Sequence, residues 1–220
     1  MAPVTEIVLH SLKPGTDVES FYKTFTIIKE KSAAQVIRAS TVHENPEQVG
    51  IFIDWDSIEA HKAFEADEVS YNAFISLAKP HLTKFPLLFH AELTPFPPAV
   101  LNNAEGKGKT PVAHVLFTYF APDTDAAKTL IEAQNFVSKL TGAGFAGLTG
   151  ESSLGWSVEK DVDFKGEKTR VLVIILGWES VQAHLEARET DAWKSTIGKF
   201  RGGAEGLKGF EVIHVTTKDL

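Results

Sequence analysis

Eight histidines, 29 acidic residues, three tyrosines and four tryptophans are the groups in this sequence whose chemistry goes beyond filling space. No cysteine joins them. Its absence removes thiolate nucleophiles, disulfides, iron–sulfur clusters and thiolate metal sites together. Proton transfer by an imidazole, with Tyr or Trp holding the substrate, is the chemistry this alphabet supports best. His10 follows Glu6 by four residues on an alternating segment, so both share a strand face at roughly 13 Å by rise. They are too far apart to touch but able to flank one ligand. His114 sits in a similar segment, His114-Val115-Leu116-Phe117. His61 and His184 each close a shared element, Trp-[Asp/Glu]-Ser-x-x-Ala-His, which begins at Trp55 and at Trp178.

Each of these residues also has a plainer reading. His10 and His114 could sit at a strand rim. His61 and His184 could be hydrogen-bonded packing residues, repeated because the packing is repeated. Trp55 and Trp178, at a strand end before a helix cap, suit core packing. His90 and His214 occupy matching late positions, but no H-x-x-x-H spacing accompanies them, so no metal site is expected. Gly142-Ala143-Gly144-Phe145-Ala146-Gly147 spells G-x-G-x-x-G, yet it follows a helix instead of opening one, so it lacks the N-terminal amides that bind pyrophosphate. It is expected to be a mobile loop over the mouth of a cleft walled by Tyr119 and Trp156. The candidate set is thus His10, His114, His61 and His184 for proton transfer, with Glu6, Tyr119, Trp156, Trp55 and Trp178 for substrate.

The elements that must position these groups come in two copies. Pro3-Val4-Thr5-Glu6-Ile7-Val8-Leu9 recurs as Pro111-Val112-Ala113-His114-Val115-Leu116-Phe117, an offset of 108. The Trp…His element recurs at an offset of 178 − 55 = 123, and Leu88-Phe89-His90 matches Val212-Ile213-His214 at 124. The second copy therefore carries about 15 extra residues, of which a charged hairpin tip around 161–168 is expected to be part. Residues 1–93 form the first repeat, 94–110 an exposed Pro/Gly-rich linker and 111–220 the second repeat. Each copy reads β-α-β-β-α-β, with helices expected over 16–28, 57–78, 125–140 and 181–200. That order is the ferredoxin-like unit. The fold class expected is α+β, with two ferredoxin-like repeats packed sheet to sheet as an intramolecular α/β barrel around a central cleft. Ile7, Leu9, Val115 and Phe117 form an all-apolar face, expected against the helices. The opposite face, with Glu6, His10 and His114, is expected to look into the cleft.

The Trp-[Asp/Glu]-Ser-x-x-Ala-His element, a strand entering a capped helix, resembles the antibiotic-biosynthesis-monooxygenase (ABM) domains. More broadly the chain resembles the dimeric α/β-barrel superfamily, including the stress-responsive A/B-barrel proteins. The resemblance implies that both halves of the usual two-subunit barrel are fused here. It also implies a small-molecule enzyme, a cofactor-independent oxygenase or a cyclase/isomerase, acting on an aromatic or polyketide-like ligand. A non-enzymatic ligand-binding or stress-associated barrel is the alternative, and heme binding or degradation a third. The heme-degrading branch carries an Asn on its first strand where this chain has Glu6 and His10, or His114 and Thr118. The A/B-barrel cyclases have an H-P-x-H-type element that is missing here. No cofactor is expected.

Composition sets the remaining bounds. Twenty-two basic against 29 acidic residues give a net charge of −7, which offers no footprint for nucleic acid or an anionic membrane. There is no signal-peptide pattern and no long apolar run, so a cytoplasmic protein is expected. An internal barrel removes the need to dimerise, leaving a monomer or a homodimer.

Overall fold

The computed structural model describes residues 2–104 and 106–220. The first repeat runs β1 (Val4–Ser11), α1 (Val18–Lys23), α2 (Thr26–Lys31), β2 (Ala34–Val42), β3 (Asn45–Trp55), α3 (Ile58–Ala66), α4 (Glu68–Ala78) and β4 (Leu87–Ala91). The second runs β5 (Val112–Phe120), α5 (Ala126–Gly142), β6 (Leu148–Trp156), β7 (Val162–Phe164), β8 (Glu167–Trp178), α6 (Val181–Glu189), α7 (Asp191–Gly203), β9 (Leu207–Val215) and β10 (Lys218–Asp219). Both repeats keep the expected order. The expected helix over 57–78 is two, because Asp67 ends α3 and its side chain caps α4 by accepting from Ser70 N. Thr190 does the same between α6 and α7, accepting from Trp193 N. Ser57 and Ser180 cap the preceding helices at equivalent points. Part of the second copy's extra length forms a β7–β8 hairpin that turns at Lys165 and Gly166, both with positive φ.

The strand order is β4-β1-β3-β2-β9-β5-β8-β6, with every pairing antiparallel. The two ends of that path also meet. Glu92 N donates to Trp156 O, Val158 N to His90 O, and Thr94 exchanges backbone bonds with Leu154. Eight strands thus close a barrel from two four-stranded halves, each with the ferredoxin-like order. Gly155 lies at this seam, where a Cβ would fall 1.8 Å from Glu92 O. Only glycine permits so close an approach.

Among the described residues the barrel encloses no central cleft. Ile7, Leu9, Phe89, Val115, Phe117 and Ile175 point inward and fill it, since an eight-stranded interior is only wide enough for side chains. The face expected against the helices is therefore the barrel lining. Glu6, His10 and His114 lie on the opposite face, between sheet and helices, where two further apolar clusters form around Phe21 and Phe25 and around Phe136 and Trp193. The all-apolar face went inward because a closed barrel excludes water completely, whereas the helix-covered face has room to admit it. The expected exposed linker also differs. Val100 and Leu101 are fully buried against the barrel core, and Asn103 bonds Val100 O, Thr110 O and Thr217 N. Next to this plug, Arg38 pairs with Asp54 at 2.7 Å and donates Nε to Asn102, and Thr5 donates to Asp54.

Candidate functional site

A cavity of about 940 Å3 lies between the sheet and the helices of the first repeat, walled mainly by apolar side chains such as Phe25, Phe64 and Phe74. Glu6, His10, His61 and Tyr71 also line it. Glu6 on β1 stands opposite His90 on β4 and Ile53 on β3. The Ser57 cap sets the start of α3, which carries His61 over the sheet with its Nε2 3.7 Å from Glu6 Oε2. Trp55 Nε1 donates to the same Glu6 oxygen at 2.9 Å.

Behind His61 runs a chain of hydrogen bonds. His61 Nδ1 meets His90 Nε2 at 2.8 Å, and His90 Nδ1 meets Glu159 Oε1 at 2.7 Å. Glu159 also accepts from the His90 backbone N–H at 2.9 Å. Burial pushes the Glu159 carboxyl up, but these bonds outweigh it and hold the group below its usual range. An ionised Glu159 accepts the hydrogen bond of a proton on His90 Nδ1, so in a neutral His90 the Nε2 accepts from His61 Nδ1. The lone pair of His61 Nε2 then faces Glu6 and the cavity. Glu159 belongs to the second repeat and reaches across the β4–β6 seam.

Burial drives Glu6 up to about 7, with His90 and the Trp55 hydrogen bond opposing. Burial likewise lowers His61 to about 4, with His90 adding to it. A carboxyl poised near neutrality beside a neutral imidazole is an arrangement for taking and passing a proton.

His10 lies on the same strand face. Its ring meets Phe21 and Phe25 edge-on at 5.1 and 5.9 Å, and neither ring nitrogen has a partner among the described residues. Burial lowers its pKa to about 4. It is thus a neutral donor and acceptor on a cavity wall, free to bond a polar atom of a ligand. Its folded-state value lies below the ordinary 6.5, so its contribution to stability is complete above pH 6.5 and lost as the pH falls toward 4. The stability difference between wild type and His10→Phe is expected to shift by about 2 kcal/mol in the variant's favour between pH 7 and pH 5. Urea unfolding at the two pH values checks this; an unchanged difference would show that His10 is not held neutral.

The second repeat repeats the pattern with different terms. His184 Nδ1 meets His214 Nε2 at 2.7 Å, while His214 Nδ1 and its backbone N–H both bond Glu44, from the β2–β3 turn of the first repeat. His114 stands where Glu6 stands in the first. The cavity there is only about 190 Å3. Among the described residues, the two sets Glu6–His61–His90 and His114–His184–His214 each bring three metal-ligating side chains together. Local spacing showed neither, because each set draws on a strand, a helix and a second strand.

The expected aromatic walls lie elsewhere. Tyr119 points into the barrel, stacks on Phe164 at 4.0 Å and donates to Glu211. Trp156 is buried against Phe120, with Nε1 on Ala126 O. Trp55 and Trp178 are fully buried beside His61 and His184, and support the histidines without lining a cavity. The Gly-rich segment is no lid. Phe145 packs on Trp193, and Gly147, at φ +79, leaves no space for a Cβ beside Ala183. Glu159 and Glu44 were not found from sequence. Their separation, 159 − 44 = 115, lies between the repeat offsets of 108 and 123, which is the signal that could have paired them.

No protein-family model matches the sequence, and no curated protein matches it. Solved structures do. An anthrone oxidase-like protein superposes with a TM-score of 0.65 at 16% identity, covering 100% of this chain and 94% of its own. The chain has the dimeric α/β-barrel fold, both halves in one polypeptide. A candidate monooxygenase from Lactobacillus acidophilus matches this barrel at 0.58 and 13% identity, covering 99% of this chain and 94% of that one. Chlorite dismutase from Candidatus Nitrospira defluvii matches at 0.55 and 12%, over 98% and 91%. The full-length matches bear out the fused α/β-barrel architecture expected from the duplication. No helix among the described residues is long and apolar enough to cross a membrane.

Proposed function

We propose that the first repeat holds the active site of an oxygenase that needs no bound cofactor and acts on a flat phenolic ketone with an acidic C–H, of the anthrone type. The observation that carries this reading is the line Glu6–His61–His90–Glu159, which runs from the wall of a large apolar cavity to a half-buried carboxylate. The match to an anthrone oxidase-like protein supports the substrate class.

In this reading the ring system lies among Phe25, Phe64 and Phe74, and His10 bonds a phenol or carbonyl oxygen. Ionised Glu6 takes the C–H proton, leaving a delocalised carbanion. The proton passes to His61 Nε2; His61 Nδ1–H is handed to His90 and His90 Nδ1–H to Glu159, which returns it to solvent. The carbanion supplies the electrons to O2. One oxygen atom becomes the new carbonyl, the other leaves as water, and CH2 becomes C=O.

Oxygen uptake measured on chelator-treated protein with anthrone tests this. One O2 consumed per quinone formed is the expected result. Turnover that continues without O2 would replace the oxygenase with a cyclase or isomerase. Binding without turnover would leave a ligand-binding barrel.

A further inference from the structure

The second repeat carries a site that the reading above does not use. We infer that His114, His184 and His214 form a binding site for a divalent transition-metal ion of the zinc type. They come from β5, α6 and β9, each is at most 4% exposed, and one ligand atom from each lies within 4.8 Å of the others.

The first repeat acts as an internal control. Its equivalent set, Glu6, His61 and His90, has the same chain of bonds, His61 to His90 to Glu159 as His184 to His214 to Glu44, and differs in that Trp55 donates to Glu6. In the second repeat His114 replaces the carboxylate. Trp178, the counterpart of Trp55, loses its acceptor. Nε1 of Trp178, Nδ1 of His114 and Nε2 of His184 are then buried with no partner among the described residues. Buried polar atoms left open in one small volume call for a ligand. A cation takes imidazole lone pairs, and an oxygen ligand on that cation would give an indole N–H an acceptor.

The remaining features agree. Glu44 bonds Nδ1 and the backbone N–H of His214, the carboxylate–histidine support that orients metal-ligating imidazoles. A cavity of about 190 Å3 adjoins His114 and His184, leaving room for an exogenous fourth ligand, the open position of a non-structural zinc site. Three imidazoles without a carboxylate or thiolate favour zinc, cobalt(II), nickel or copper over magnesium or calcium. Tetrahedral zinc at ~2.0–2.1 Å from nitrogen needs N···N separations of roughly 3.4 Å, so the ligands would move by about an ångström, and His214 Nε2 would exchange its bond to His184 Nδ1 for the metal.

Cobalt(II) is the probe. Tag-free, chelator-stripped full-length protein is titrated with Co2+ and followed by its visible d–d absorption. One saturating equivalent, displaced by Zn2+, is expected. His114→Leu and His214→Leu should abolish the band, and His90→Leu should keep it. Glu44→Gln, changed at a partly exposed side chain that does not threaten folding, should weaken binding about 10- to 100-fold. The inference is overturned by the absence of a saturable band, by a band that survives in folded His114→Leu, by unchanged affinity in Glu44→Gln, or by loss in His90→Leu, which would place the ion in the first repeat.

Discussion

Glu6→Gln lowers kcat by about 10²- to 10⁴-fold while KM changes little, the loss expected when a general base is removed. Glutamine keeps an oxygen for Trp55 Nε1, so the indole retains its acceptor and the strand its shape. What disappears is the carboxylate that takes the proton. In the wild-type protein the same group sets the acid limb of the pH–rate profile. Burial places Glu6 at about 7, so kcat/KM should fall tenfold per pH unit below that value and level off above it. A profile that stays flat through pH 6, or a Gln variant with full turnover, would remove Glu6 from the mechanism. His61→Phe separates base from relay. It leaves Glu6 in place but cuts its route to His90 and Glu159, so kcat should drop and the apparent pKa of the acid limb should move.

Arg38→Leu is expected to cost about 3–5 kcal/mol of stability, because it leaves Asp54 buried and unpaired. Arg38 is 2% exposed and Asp54 fully buried, and Arg38 is the one cation bonded to that carboxylate among the described residues. Thr5 still donates to Asp54, which offsets part of the loss but does not neutralise the charge. Arg38 Nε also holds Asn102 beside the buried Val100–Leu101 plug, so the same change loosens one end of the barrel. For a chain of this size the fall in Tm should be on the order of 10 °C. The double variant Arg38→Leu, Asp54→Leu should be more stable than Arg38→Leu alone. If both are equally unstable, packing and not the ion pair is what the arginine supplies.

The duplicated registers made the repeat order, the ferredoxin-like units and the fused barrel legible from residues alone. Which face of β1 looks where was not. Ile7, Leu9, Val115 and Phe117 satisfy either a helix layer or a closed interior, and period-two alternation is the same for both. Only closure at the Gly155 seam decides it. That inversion moved the cavity from the barrel axis to the space beneath the helices. Glu6, His10 and His61 were within reach of sequence reasoning because they share elements with the repeated segments. Glu159 and Glu44 were not, because each acts on a histidine more than 60 residues away. Tyr119 and Trp156 were misread for a related reason: aromatic character marks a wall equally well whether it borders a cavity or a core. Val100 and Leu101 were hidden by the prolines and glycines around them.

The two glutamates that cross the seams have a consequence for descent. Each half lends its carboxylate to its twin and borrows one in return, so neither half can be discarded, shortened at its turn or reshuffled without disarming the other. Before fusion, two identical subunits could have traded the same residue reciprocally. In the fused chain the copies differ at this position, Glu6 in one and His114 in the other, while the exchange of glutamates ties each site to the opposite half.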